Sequence, residues 1–528
     1  MPADISNLLV LAFEGLAAPA DVLNRVRSDP PAGFTLFTED NVHNVEQVRE
    51  LTDSLQAANG DDLPLLMAAD QEGGQLIALV GTTPFPGNMA LGAAGDPELT
   101  YRVGTAIGVE MLAAGVNLNY APCADLNTNP ANPSLGIRSF GDEPRPVAAH
   151  IAAFVTGLRS AGVLATVKHF PGKGNAQVDS HFGLPVIAHD RVRLDAMELV
   201  PFLAGLEAGA DLVMTGHFAI PGLTERDDLP STLSRAVLTD LLRNELGFDG
   251  AVITDAFDMG AIAQGTGQVI DAITAIRAGV DLLLLKGEAQ ERVEQGLGLA
   301  SRRRLIHRDR LDAAVANSRA LRTRVAGAIQ PDVSVVGSAE HRALAAEVAQ
   351  RAVTLVRNED GLLPLRLESE DRIAAVMPQP INLTPADTSA LVTPGLAAAL
   401  RRHHGTVDEF VVGHPPTDGE IAAMREKATD YDLWVVGTIS ASLDDQQATL
   451  VNQLLATGLP TATVALRTPY DLAAYPTATT YACTYGLRKP MMEALADALF
   501  GKAPFDGRLP VTIPDYYDAG HGLETPKP

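Results

Sequence analysis

The sequence predicts an α/β protein: an N-terminal (β/α)8 barrel of the TIM type, followed by a smaller α/β sandwich domain. Three observations predict this. At 528 residues the chain is too long for one core. Eight short apolar runs recur through its first 290 residues with helical patterns between them, as a parallel sheet covered on both faces requires. Charged residues also sit directly after five consecutive runs, where barrel enzymes build their sites.

The eight expected strands are 8–13, 34–37, 63–69, 116–121, 163–167, 212–215, 252–254 and 282–285. Amphipathic stretches at 97–114, 191–208 and 234–246 read as helices between them. Pro97 and Ser234 are starts, and Gly115, Gly209 and Gly247 are stops. A helix-rich stretch over 287–327 closes the barrel. The expected division is a barrel over 1–328, a linker over 329–345 that includes Gln330-Pro331-Asp332, and a C-terminal domain over 346–528. In that domain the strand signals are 373–377, 410–412, 433–436, 462–466 and 480–483, with a helix over 338–351 and Trp434 in a buried strand.

Composition excludes several classes. A net charge of −25 without any Lys/Arg run argues against nucleic acid and anionic membranes as partners. Two distant cysteines, Cys123 and Cys483, make no disulfide framework. The first residues lack a basic signal-peptide region, and no apolar stretch approaches about eighteen residues. The expectation is a soluble, cytoplasmic protein.

The densest chemistry lies in Lys168-His169-Phe170-Pro171-Gly172-Lys173-Gly174, followed by Asp179-Ser180-His181. Glycine and proline break the strand that precedes it into a loop. On an extended loop residues i and i+2 point the same way, so Asp179 can orient and polarise His181 as an acid/base unit. Asp70, Asp125, His217 and Asp255 follow the third, fourth, sixth and seventh strands. Asp255 is the candidate carboxylate nucleophile. Asp258 is its nearby competitor and is given a helix-start or structural role.

Several segments together resemble glycoside hydrolase family 3, in its β-N-acetylglucosaminidase branch. They are Asp70-Gln-Glu-Gly-Gly, Asn119-Tyr-Ala-Pro-Cys-Ala-Asp125, Ile137-Arg138-Ser139-Phe140-Gly141, the 168–181 loop and Thr254-Asp255-Ala-Phe-Asp-Met259. Two C-terminal segments, 352–365 and 500–513, resemble the family's second domain. The resemblance implies a retaining β-N-acetylhexosaminidase that forms a covalent glycosyl–Asp255 intermediate, with His181 and Asp179 as acid/base. It implies that Asp70, Arg138, Lys168 and His169 bind the sugar, that Asp125 does so or only orients Arg138, and that His217 lines the pocket floor or packs in the core, with no cofactor and no metal. The expected substrate is a small carbohydrate, terminal β-linked N-acetylglucosamine from a cell-wall fragment, as in peptidoglycan recycling. With 5% aromatic residues the chain has few stacking platforms for long polysaccharides.

The chain departs from the branch at Gln75 and Ala78, where arginines are expected, and at Lys173, where histidine is common. Lys173 reads either as a charge favouring an anionic aglycone or acceptor, or as a solvated loop lysine. Arg138 reads alternatively as a structural partner of Asp125 or Asp142, and Glu72 is the reserve acid. Other readings stay open at this point: a β-glucosidase, an N-acetylglucosaminide phosphorylase, a metal-dependent hydrolase built on His169, His181, His217 and Asp255, or a non-catalytic sugar-binding protein. The second domain is expected to cover the site or to mediate oligomerisation.

Overall fold

The computed structural model describes residues 3–525 except 263 and 288, so the outer ends of both expected domains lie outside the described residues. Eight strands form the first sheet: β1 (Leu9–Leu11), β2 (Gly33–Thr35), β3 (Leu66–Ala69), β4 (Leu118–Asn119), β5 (Leu164–Phe170), β6 (Leu212–Thr215), β7 (Ala251–Thr254) and β8 (Leu283–Leu285). Their order is β8-β1-β2-β3-β4-β5-β6-β7 and every pairing is parallel. A bridge between Ile253 and Leu282 joins the two ends and completes the barrel.

The period of two sorts the side chains. Val10, Leu66, Leu118, Leu164, Met214, Ile253 and Leu284 fill the interior, while Leu9, Leu11, Met67, Val213, Val252, Leu283 and Leu285 pack outward against the helices. Both faces are therefore apolar. Helix Arg308–Val325 stoppers the N-terminal face, placing Leu321 and Val325 in the interior cluster. Its buried Arg322 donates to the Pro64 and Leu63 carbonyls at 2.8 and 2.6 Å. The mouth lies at the opposite, C-terminal end.

The expected helix over 191–208 is two helices, Arg191–Ala196 and Leu199–Glu207. Pro201 explains the break: its ring would meet the carbonyl of Met197 in a continuous helix, and it fits only in a first turn. Helix Ala339–Ala352 starts inside the expected linker, capped by the Ser338 hydroxyl, and crosses the 345/346 boundary.

The second sheet comprises β9 (Thr354–Asn358), β10 (Ile373–Pro378), β11 (Val407–Val412), β12 (Leu433–Thr438), β13 (Thr461–Ala465) and β14 (Thr480–Cys483), in the order β9-β14-β13-β12-β10-β11. Only β9, an edge strand absent from the expected set, runs antiparallel. Trp434 is buried in β12. The second core takes in Met89, Ala90, Ala93 and Ile137 from the barrel, so apolar packing joins the two domains. Both cysteines are buried and unpaired. No helix among the described residues is long and apolar enough to cross a membrane.

Candidate active site

One cavity of ≈ 820 Å³ opens at the barrel mouth and is lined by Asp70, Arg138, Lys168, His169, Lys173, His181, Asp255 and Asp258. Asp255 stands at the tip of β7. Its Oδ1 accepts from the Ala256 N–H at 2.9 Å, and its Oδ2 lies 4.0 Å from His169 Nε2. Burial pushes its carboxyl up, but the Lys173 ammonium and the Ala256 N–H help to outweigh burial and hold it below its ordinary value. It is therefore an anion at neutral pH.

His181 Nδ1 lies 2.6 Å from Asp179 Oδ1, which also accepts from the His181 backbone N–H at 3.0 Å. Those bonds outweigh burial and keep the Asp179 carboxyl below its ordinary value. With Asp179 ionised, Nδ1 carries a proton and Nε2 is left for the cavity. The loop is fixed from both sides. Gly174 passes so close to Leu126 that a Cβ would sit 1.6 Å from the Leu126 carbonyl oxygen. Gly260 and Ala261, beyond β7, donate to the His181 and Ser180 carbonyls at 3.0 and 3.1 Å. A Cβ on Gly260 would lie 2.8 Å from the His181 oxygen. The segment after the Asp255 strand thus sets the height of His181.

Arg138, Lys168, Asp70 and Glu72 form a network on the opposite wall. Arg138 grips Glu72 with both ends of its fork, at 3.0 and 2.7 Å, and not Asp125 or Asp142. Lys168 Nζ reaches Asp70 at 2.5 Å and Glu72 at 2.7 Å. Burial works against a charge on Glu72, yet the two cations lower its pKa to about 2. Glu72 is an anion with both oxygens engaged, which makes it a poor proton donor. Lys168 stays charged: burial opposes this, but Asp70 and Glu72 raise its pKa.

Two expected sugar-binding residues do not line the cavity. Asp125 is fully buried and its oxygens are taken by His169 Nδ1 at 2.7 Å and the Lys173 N–H at 2.7 Å. It orients His169 and the loop, and makes no hydrogen bond to Arg138. His217 is also fully buried, with Nδ1 2.7 Å from Thr232 Oγ1 and Nε2 3.2 Å from the Ala256 carbonyl. Burial keeps both His169 and His217 below the ordinary histidine range, hence neutral. His169 points Nε2 toward Asp255 and can accept from a hydroxyl; His217 supports the turn after Asp255.

Lys173 is not solvated. It is 2% exposed, lines the cavity, and its ammonium has no ion pair among the described residues. Asp258 begins no helix; it lies exposed in a turn at the cavity's edge, and the next helix is Gly267–Ala278. The histidines invoked for a metal are each held by a different partner. The donors that do converge, Cys123, Asp125 and His169, are buried and bonded to one another.

Sequence reasoning expected the second domain to cover the site or to mediate oligomerisation, but did not identify the residues of the wall it supplies. Asp387, Thr388 and Leu391 line the cavity from a loop after β10. Gln75 holds that loop: it donates to the Ala386 carbonyl at 3.1 Å, and its own carbonyl accepts from the Thr388 N–H at 2.8 Å. Arg488 donates to the Gly74 carbonyl at 2.5 Å and to Thr388 Oγ1 at 2.9 Å. At position 75, then, the departure from arginine serves the joint between domains.

Comparison with known proteins agrees with this architecture. The pattern of the glycosyl hydrolase family 3 N terminal domain matches residues 5–320, and that of the C-terminal domain matches 353–524. β-Hexosaminidase A of Pseudoalteromonas piscicida is 31% identical over 91% of this chain and 89% of its own length. A β-N-acetylglucosaminidase/β-glucosidase of Cellulomonas fimi is 30% identical over 85% of this chain and 84% of its own. Among solved structures, a family 3 β-N-acetylglucosaminidase from Paenibacillus sp. str. FPU-7 superposes with a TM-score of 0.92 at 35% identity, covering 97% of this chain and 99% of that one. With both domains matched in order around a carboxylate at the tip of β7, the chain belongs to glycosyl hydrolase family 3.

Proposed function

We propose that this glycoside hydrolase is a retaining β-N-acetylhexosaminidase that releases terminal β-linked N-acetylglucosamine from small glycosides, cell-wall fragments included. One observation carries the reading: His181, backed by Asp179, lines the same cavity as Asp255. Two other carboxylates of the barrel mouth, Asp70 and Glu72, are tied to Lys168 and Arg138. The similarity to proteins named β-hexosaminidase and β-N-acetylglucosaminidase supports the choice of sugar.

In the first half-reaction an Asp255 oxygen attacks the anomeric carbon while the bond to the leaving oxygen breaks. His181 Nε2 gives its proton to that oxygen, while Asp179 holds Nδ1 and orients the ring. In the second half a water attacks the anomeric carbon, neutral His181 takes its proton, and Asp255 departs as the carboxylate. A neutral imidazole places no second negative charge beside the nucleophile. Arg138 and Lys168 supply donors, and Asp70 an acceptor, for the sugar hydroxyls.

The test is trapping with a fluorinated β-N-acetylglucosaminide followed by peptide mapping. The expected label is on Asp255, with retained product stereochemistry. Label on Asp258, inversion, or a many-fold higher turnover on the β-glucoside would overturn the assignment.

A further inference from the structure

A second hollow, of ≈ 810 Å³, lies at the barrel floor, on the side away from the catalytic mouth, beside the stopper helix. The chain as a whole carries 65 acidic against 40 basic residues, yet Arg243, Arg277 and Arg310 line this hollow with one carboxylate, Asp249. Arg235 and His307, exposed on its rim, are already paired with Asp240 and Asp309. Asp281 sits beneath it, fully buried. Arg243 and Arg310 both pair with this one carboxylate, Arg243 at 2.6 Å. Asp281 also accepts from Asn317 at 3.0 Å and from the Val252 N–H at 2.9 Å. Its capacity is therefore used up, and two guanidiniums share one negative charge.

Two further signs of surplus cation follow. Arg310 Nε is buried and has no hydrogen-bond partner among the described residues. Arg277, on the last turn of helix Gly267–Ala278, has no ion pair among the described residues. Close like charge at partly buried guanidiniums is costly unless an anion offsets it. Arg243 stacks 5.2 Å from the centroid of the Phe248 ring, which fixes its plane and adds an apolar wall.

We propose that this floor hollow is a second ligand site, which takes a phosphate-bearing small molecule on Arg243, Arg277 and Arg310. Guanidinium forks match phosphate oxygens two at a time, and a dianion meets the surplus of more than one charge. The Phe248 wall suits an organic group attached to that phosphate.

The experiment is calorimetric titration of the full chain, at constant ionic strength, with inorganic phosphate, a hexose 6-phosphate and adenosine monophosphate in turn. Saturable binding is expected; a preference for either organic ligand, or for inorganic phosphate, identifies the source of the phosphate. Arg277→Gln and Arg310→Lys should each weaken binding about ten-fold, with circular dichroism confirming that each variant folds. Lys173→Met, in the catalytic cavity, should leave it unchanged. Absence of saturable binding with all three ligands would overturn the proposal. So would loss of binding in Lys173→Met together with normal binding in Arg277→Gln, since the phosphate would then sit at the catalytic mouth.

Discussion

Arg467 Nη2, in the second domain, lies 2.9 Å from Gln75 Oε1 on the first loop of the barrel mouth. Where the family resemblance expects an arginine at 75, a guanidinium arrives instead from the other domain, and Ser440 Oγ anchors it at 3.1 Å. Replacing Arg467 by Met should leave two buried acceptors unmet and cost about 1–3 kcal/mol of stability. It should also raise KM more than it lowers kcat, because Gln75 holds the loop that walls the cavity. Denaturant unfolding and steady-state kinetics would check both; an unchanged KM would mean that the clasp does not shape the site.

For the acid/base pair, Asp179→Ala and His181→Ala should each slow hydrolysis of a poor leaving group by about 10²–10⁴-fold. The losses should be far from additive, since the two act as one unit. With a dinitrophenyl glycoside, which needs little protonation, the glycosylation loss should shrink and a burst should precede slow turnover. Equal loss on both substrates without a burst would assign His181 to sugar binding.

Glu72 gives a pH signature in stability. Its folded pKa of about 2 lies below the ordinary 4.5. It therefore favours folding above about pH 4.5, and that contribution drains away as pH falls from 4.5 toward 2. The shift corresponds to about 3 kcal/mol. Glu72→Gln should be strongly destabilised at pH 7, and the gap to the parent should narrow steadily below pH 4. Urea melts across that range would measure it.

Gly260→Ala tests the positioning of the acid/base loop. The new Cβ would meet backbone atoms of His181 and Phe182 at 2.8 and 3.0 Å, so the loop must shift. A displacement of this kind should lower kcat by about 10²-fold. The thermal midpoint should barely move, because the turn lies outside the barrel core. Wild-type kcat in this variant would show that the height of His181 is not critical.

The barrel was legible because each of its strands is buried on both faces and therefore reads as an unbroken apolar run. Strand β9 was not: Arg357 and Asn358 are only half-buried at a sheet edge, and the local pattern breaks there. Asp255 declared itself by following a strand, and Lys168 and His169 by closing an apolar run, although β5 extends through both to Phe170. Partnerships did not, because they span the chain: Arg138 and Glu72 are 66 residues apart, and Gln75 and Arg467 are 392 apart. The sequence left Lys173 open between a charge near the site and a solvated loop lysine, because its loop is held by the distant Asp125, which takes its N–H. Asp125 and His217 have strand-end positions that suggest a cavity lining, but spend their polar atoms beneath it.

The candidate nucleophile and acid/base pair sit on the barrel, while part of the wall around them comes from the second domain. Asp255 and His181 are held by the barrel, while Leu391, 59% exposed, stands over the same cavity on a loop of the other unit. Exchanges on that loop would therefore reshape this wall of the cavity without disturbing a strand tip. The fold keeps the candidate nucleophile and part of the cavity wall on different shelves, and one can be rewritten while the other stays fixed.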